Sequence, residues 1–525
     1  MQITILDIKH VSSLSEREII NYVTNKYHIN NNNVIDAKLV KKSLDIRDKS
    51  NPYYVYQLVL KLDEKERKNK YLKDKKVKFD TNFSDEITVP NIKTNDRPIV
   101  VGFGPAGMFS AYLFALANMR PIIFERGSMV EERELDIENF FKYDKFNPNS
   151  NVCFGEGGAG TFSDGKLNTT VNDPKIKFIL KTLVELGAKE SVYYDGKPHV
   201  GTDKLRICVK NLRNKIISLG GEFHFNSQVI DVVSNEVLVK ENRKTIKYNS
   251  PYIVLAIGHS ARDTYEMLYK NGFNLEPKPF SIGCRIEHLQ SQINDIQYGT
   301  NSNIHDPASY KIAVHLENRD VYSFCMCPGG YVVSSNSNDG EIVTNGMSYE
   351  ARDGLNANSA ILVNVKVEDF YNGNPLGGIY YQSKIEKACY DLTQSYKAPC
   401  NLLKEFLSDK VAESFRSVKP TYPNGLIFSS FDDILPNYIV DGLKEGIKAI
   451  DKKMPGFLND DAILTIVESR SSSPVRIVRS DYESNIKGVY PIGEGAGYAG
   501  GITSSALDGI KCAYKIFEKI NGGDF

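Results

Sequence analysis

Ile99-Val100-Val101-Gly102-Phe103-Gly104-Pro105-Ala106-Gly107 joins an apolar, β-branched run to a glycine turn, and the residues that follow to Asn118 suit a buried helix. The G-x-G-x-x-G spacing has a mechanical meaning in that setting. The first glycine permits the tight turn, and the second lets the backbone approach a pyrophosphate. The helix N-terminus then presents its free N–H groups to the anion. Pro121 to Glu125 reads as the next strand, so Glu125 stands about 20 residues beyond the turn, where an acid accepts from ribose hydroxyls and disfavours a 2′-phosphate. The stretch Pro98–Met119 carries no charge and is long enough to span a bilayer, but its glycines and proline divide it into strand, turn and helix, so no membrane insertion is expected.

The same spacing occurs twice more, at Gly155/Gly157/Gly160 and Gly495/Gly497/Gly500. The second match has no clean strand before it and a loop, Thr161 to Gly165, after it. The third has a strand and a helix, but the chain ends before another unit could supply the acid. One fingerprint means one dinucleotide on such a domain. The late segment Gly488–Thr503 makes that dinucleotide FAD rather than NAD. It returns the chain as strand, glycine turn and helix, and a helix opening near Ile502 aims its positive end at a flavin.

The 525 residues predict two or three domains. Lys+Arg 65 against Asp+Glu 65 gives no bulk attraction to nucleic acid or an anionic membrane. Eight cysteines without metal-ligand spacing, and no leader at Met1-Gln2-Ile3, predict free thiols, no metal site and a cytoplasmic protein. Residues 1–92 read as a small α+β domain with a basic linker. In it Ile3–Ile8, Val34–Ser43 and Tyr53–Leu62 are strands, and Ser15 caps a helix to Lys26. Lys61–Lys78 holds nine basic residues against four acidic and reads as a solvated segment. Residues 93–276 and 465–525 form the expected Rossmann-type FAD-binding domain, with an antiparallel-sheet substrate domain, 277–464, inserted between them. Helices are predicted over 178–186, 202–219, 384–410, 438–452 and 503–520.

These stretches, together with Glu125-Arg126-Gly127, Asn151–Asn168, Lys197–Leu205, Leu255–Thr264, Phe324–Val333, Ser469–Ile477 and Val489–Ala506, resemble a bacterial family of FAD-dependent (NAD/FAD-utilising) dehydrogenases of unassigned substrate. The layout is similar to that of the glutathione-reductase-type flavoproteins. The resemblance implies that Gly102, Gly104, Pro105, Ala106 and Gly107 carry the pyrophosphate and that Glu125 holds the adenosine ribose. Arg126 and Arg133 would lie near the adenine or pyrophosphate, with Val229 touching adenine through its backbone. Gly258 would occupy a turn where relatives have Ala-Thr-Gly; Ile257 departs from that pattern. Gly493 and Glu494 would meet the ribityl and pyrophosphate, Gly501 and Ile502 the pyrimidine ring, and Gly158 the working face of the flavin.

No catalytic acid or base emerges from the sequence. Ser163, Asp164 and Lys166 are candidates to orient a substrate or simply to hold their loop. Cys153 reads as packing, and Cys325 and Cys327 are too close for a Cys-x-x-Cys pair. His259 reads equally as a proton donor or as a structural histidine. Arg470 and Arg476 either bind a substrate carboxylate or pair with local acids. The expected activity is two-electron transfer between a donor, with NAD(P)H as a transient candidate, and a small organic substrate. A flavin monooxygenase shares this architecture, and an RNA-acting flavoprotein using Lys61–Lys78 is a third reading. The oligomeric state is left open.

Overall fold

The computed structural model describes residues 1–79, 84–163, 165–300 and 302–522. Two compact units emerge. One joins Met1–Thr88 to Lys166–Val200, and the other joins Val89–Gly165 to Gly201–Phe525. The chain leaves the second unit at Gly165 and returns at Gly201. Both glycines have positive φ, and their backbones touch: a Cβ on Gly165 would lie 3.1 Å from Gly201.

In the first unit, four strands run in the order Val34–Asp45, Tyr53–Leu62, Gln2–His10, Val77–Lys78. Helix Glu16–Lys26 opens with the expected capping box, Ser15 with Glu18, and turns Ile19 and Val23 into a core with Ile3, Ile5, Leu39, Leu58 and Leu60. Helix Lys175–Glu185 belongs to this unit, and Lys177 donates to the carbonyls of Val40 and Tyr193. A cavity of about 570 Å³ there is lined by Lys177, Tyr194 and Asp195, among others. Between Leu62 and strand Val77–Lys78 the basic stretch forms a short 3-10 turn, Lys68–Lys70. Lys70 in this turn donates to the His28 carbonyl and to Glu66.

The second unit is built on a five-stranded sheet ordered Val489–Pro491, Ile253–Leu255, Ile99–Val101, Ile122–Phe124, Glu222–His224, every neighbour parallel. Strand Ile99–Val101, helix Pro105–Leu116 and strand Ile122–Phe124 form the expected β-α-β unit. The order runs outward on both sides of the first strand, as in a dinucleotide-binding sheet. Helix Ile502–Asn521 packs on helix Pro105–Leu116 at a close crossing, since a Cβ on Gly509 would fall 2.2 Å from the Ala106 carbonyl. Strands Ser227–Val233, Glu236–Glu241 and Lys244–Asn249 form a separate antiparallel meander.

A seven-stranded sheet is ordered Ala313–His315, Asp320–Cys327, Asn356–Val365, Phe280–Leu289, Ile463–Glu468, Ala398–Leu402, Leu426–Phe428. It is antiparallel except for its last pair. Helix Asn437–Lys453 crosses it closely, Gly442 and Gly446 lying on Val363 and Val321. The helix expected over 384–410 is two helices, Gly377–Asp391 and Leu403–Leu407, separated by strand Ala398–Leu402. The run Thr393-Gln394-Ser395 breaks it, and the five strand residues are buried on both faces, which erases the alternation that marks a half-exposed strand. Helix Gln290–Tyr298 also interrupts the 277–464 region, expected as an antiparallel sheet. Among the described residues no helix is long and apolar enough to cross a membrane.

Candidate cofactor site

The glycine segments that are far apart in sequence meet in space. A Cβ on Gly102 would strike the Ala256 carbonyl at 2.5 Å, and one on Gly107 would lie 2.0 Å from the Gly102 carbonyl. A Cβ on Gly158 would sit 2.9 Å from Gly104 Cα, and one on Gly493 would lie 2.7 Å from Ala106 Cβ. Gly495 packs on Gly258, and Gly160 on Ile502. The 102–107, 155–160, 256–258 and 493–502 stretches therefore form one backbone-lined surface, in which side chains are excluded by contact. Gly157 N–H donates to the Phe103 carbonyl at 2.8 Å, which pins the second glycine loop to the first. That loop is a 3-10 turn over Ala159–Thr161, with positive φ at Gly155, Gly157 and Gly158, so its glycine spacing follows loop geometry and not a second nucleotide fingerprint.

Two helices open onto this surface with no side chain capping their first turns, Pro105–Leu116 behind Gly104 and Ile502–Asn521 behind Gly501. Their first-turn N–H groups carry the partial positive charge of a helix start. No neighbouring atom would lie within 4 Å of a Cβ on Gly258 or Gly500. The surface is thus crowded below and open above at those two glycines.

Glu125, 5% exposed, binds the cradle together. Oε2 accepts from Phe103 N–H at 2.9 Å, and Oε1 accepts from Gly127 and Gly155 N–H at 3.0 and 3.1 Å. Oε2 keeps a further acceptor position for a hydroxyl. Gly127 and Glu125 also accept, through their carbonyls, from Asn226 and Ser227 N–H, which brings strand Ser227–Val233 alongside. Val229 stands at a bulge in that strand. Arg126 stacks on Phe154 and pairs with Asp263 at 2.6 Å.

Arg133 has no exposed surface, and its guanidinium donates to the carbonyls of Asn151, Val152, Gly155 and Glu156. Burial pushes its pKa down to about 10. What it organises directly is the 151–156 loop. Glu156 in that loop accepts from Val130 N–H and Arg213, and burial raises its pKa to about 7. Gly493 N–H donates to Asp508, which also takes a bidentate pair from Arg479, so Gly493 is fixed by its own helix. Glu494 lies 3.1 Å from His259 Nδ1, giving His259 a carboxylate partner immediately after the Gly258 turn.

The remaining candidates separate. Arg470 pairs with Glu386 and Glu341, which also bind Arg262, so this buried quartet satisfies itself. Burial opposes ionisation of Glu386, yet the two arginines hold it below the ordinary carboxylate range. Arg476 lies over Tyr498 and makes no such pair among the described residues. Cys153 donates to the Ser335 carbonyl. Cys325 adopts a positive φ at a bulge and offers its carbonyl to buried Arg285. None of the eight cysteines is in a disulfide, and no cluster of metal-ligating groups occurs among the described residues. Asp164 lies outside the described residues. Lys166 bridges to His199 in the first unit.

Phe103, Glu156, Arg213 and Tyr265, whose hydroxyl donates to the Gly495 carbonyl, shape the site without having drawn notice in the sequence. Phe103 could have been found, since it is the variable residue inside the glycine turn. The other three lie at no fixed spacing from it.

Residues 279–471 match the family described as FAD-dependent protein, C-terminal domain-like. An uncharacterized protein of Clostridium beijerinckii (strain ATCC 51743 / NCIMB 8052) is 43% identical over 515 residues, covering 95% of each chain. Distant similarity extends to a flavin-dependent brominase variant, at 11% identity over 82% of each chain and a TM-score of 0.37. It also reaches a geranylgeranyl bacteriochlorophyll reductase-like protein of Thermoplasma acidophilum, at 10% identity over 81% of this chain and 79% of that one, with a TM-score of 0.34. Two uncapped helix starts, a backbone-lined cradle and a carboxylate at the end of the second strand suit FAD. The chain belongs to the family of the clostridial protein and is an FAD-dependent oxidoreductase, redox being the chemistry that FAD supplies.

Proposed function

We propose that FAD lies along the convergent glycine segments and that the enzyme moves two electrons between a donor, NAD(P)H, and a small organic substrate. The observation that carries this reading is the meeting of Gly102–Gly107, Gly155–Gly160, Ala256–Gly258 and Gly493–Ile502 on one surface served by two uncapped helix starts. In this reading Glu125 Oε2 accepts from an adenosine ribose hydroxyl, and the helix behind Gly104 faces the pyrophosphate. The helix behind Gly501 faces the pyrimidine edge of the flavin and stabilises negative charge there. FAD, once bound, supplies hydride-accepting chemistry.

The chain's own residues fix geometry and protons. Arg133 and Glu156 hold the 151–156 loop in its turn, and the loop keeps Gly158 against Gly104. The His259–Glu494 pair places a group able to give or take a proton beside the cradle. With a single nucleotide fingerprint, the nicotinamide donor binds transiently over the flavin and has no domain of its own. The substrate is taken by the 277–464 region.

Anaerobic titration of the purified yellow protein with NADH and NADPH tests this. Stoichiometric bleaching of the flavin absorbance is expected with one of them. Bleaching by neither removes the nicotinamide donor. Reoxidation by air then separates the two flavin chemistries. Slow return of colour with hydrogen peroxide as product fits the dehydrogenase, while oxygen incorporated into an organic product fits a monooxygenase.

A further inference from the structure

We propose that Lys278 and Arg476 form an anion-binding subsite at the flavin end of the cradle, which takes a carboxylate or phosphate group of the substrate. The inference rests on FAD occupying the cradle as described above, and it adds the substrate class.

The arginines around this site are otherwise matched: Arg479 to Asp508, Arg285 to Glu468, and Arg262 and Arg470 to their shared glutamates. Arg476 is not. Its guanidinium rests against the Tyr498 ring at 5.2 Å, and its Nε is shielded from solvent without an acceptor among the described residues. Glu276 stands directly opposite it in the antiparallel ladder and makes no ion pair with it. Lys278 is half-buried, and its ammonium likewise has no ion pair or hydrogen bond among the described residues. Burial and the neighbouring Arg476 charge push the Lys278 pKa down, with Glu494 opposing. Glu494 is itself engaged by His259.

Two cations thus share a partly desolvated site with one carboxylate that already has a partner. Unmatched, partly desolvated charge is unfavourable, so this arrangement is completed by an anion. Both residues are held by backbone. Lys278 N–H donates to the Pro474 carbonyl at 2.8 Å, and the Arg476 Cα would lie 3.0 Å from a Cβ on Gly497. That contact fixes the pair beside the Gly493–Gly501 segment, where no atom would lie within 4 Å of a Cβ on Gly500. A planar guanidinium next to a mobile ammonium suits carboxylate and phosphate oxygens. The pyrophosphate of FAD is already served by the helix behind Gly104, so the anion at this end belongs to the substrate.

The test uses the holoenzyme with two probes, inorganic phosphate and benzoate. The readout is the rate at which acetic anhydride acetylates Lys278, followed by peptide mass spectrometry, with FAD affinity measured in parallel by flavin fluorescence. One of the probes should protect Lys278 saturably while exposed lysines such as Lys41 stay unprotected. Arg476→Ala should weaken that protection about tenfold, the loss of one charge-assisted contact, with FAD affinity unchanged. No protection by either probe overturns the subsite, and so does equal protection of all lysines. A tenfold loss of FAD affinity in both Arg476→Ala and Lys278→Met also overturns it, because the pair would then serve the cofactor. Failure of the protein to bind FAD at all would remove the cofactor reading, while lysine protection could still be measured.

Discussion

Where Gly102, Gly158, Gly258 and Gly493 meet, the contacts run from backbone to backbone, and a single carboxylate, Glu125, ties three N–H groups together. In the seven-stranded sheet the order is reversed, and buried side chains carry the polar contacts. Arg285 donates to Glu468, Asn358, Asn345 and the Cys325 carbonyl without any exposed surface of its own. The first region is built by leaving side chains out. The second is built by matching charges from distant strands. The two regions should therefore fail differently when altered, the cradle by steric intrusion and the sheet by stranded charge.

The largest effect is expected at Gly107, on the floor of the cradle. A methyl group there would lie 2.0 Å from the Gly102 carbonyl and 3.3 Å from Ala256 Cβ, both on buried elements that cannot give way. Gly107→Ala should cost roughly 5 kcal/mol or abolish folding, at the upper end for a single substitution. Thermal unfolding followed by circular dichroism reads this directly. A drop in the unfolding midpoint as small as that of an exposed alanine substitution would break the steric account of the cradle.

That asymmetry explains what was legible in the sequence. A glycine demanded by close approach leaves a mark that needs no partner to be read. Hence the strand-turn-helix at Ile99–Leu116, Glu125 and the late turn at Gly493 were visible as spacing alone. The matched charges left none. Arg262 meets Glu386 from 124 positions away and Arg285 meets Glu468 from 183, distances at which no periodicity operates. The resemblance put Arg133 near the adenine or pyrophosphate, but only the fold shows its donors turned onto loop carbonyls. The strand Ala398–Leu402 was hidden for a related reason, since burial on both faces removes the alternation that would separate it from a helix.

The sheet supplies the second test. Arg285→Ala leaves Glu468 buried without its bidentate partner, and a loss of about 3–5 kcal/mol is expected. Arg285→Met with Glu468→Leu removes both charges and should recover much of that loss. A double variant no more stable than the single one would show that the hydrogen bonds to Asn345, Asn358 and Cys325 matter more than the charge pair.

Glu156 joins the two modes, because it is a buried charge inside the glycine loop. Its pKa in the fold is raised to about 7 from an ordinary 4.5, chiefly by burial. A raised carboxyl pKa means the unfolded chain ionises first as pH increases. The stabilisation is fully present below about 4.5 and is lost as pH rises through about 7. The window corresponds to about 3 kcal/mol. Glu156→Gln has no such titration, so its stability relative to the wild type should improve by about that amount between pH 4.5 and 8. Urea unfolding midpoints at the two pH values, followed by circular dichroism since the chain has no tryptophan, decide it. A constant difference would mean that Arg213 keeps Glu156 ionised throughout.

The smallest effect on folding, and the sharpest on the cofactor, belongs to Gly258. It has a positive φ, +69°, as Gly102, Gly158 and Gly493 do, yet an added Cβ would meet nothing within 4 Å. Gly258→Ala therefore carries only the cost of a left-handed backbone, about 1–2 kcal/mol, with no clash to relieve. The open space above it is where the reading of the cradle puts FAD, so the same methyl should lower FAD affinity about tenfold or more, the loss of one close contact worth at least 1.4 kcal/mol. Measured side by side, apoprotein unfolding and FAD binding should respond in opposite proportion to Gly107→Ala, where folding itself gives way. If Gly258→Ala leaves FAD affinity intact, the open face of the cradle is not the face that holds the cofactor, and the crowded glycines below it are structural alone.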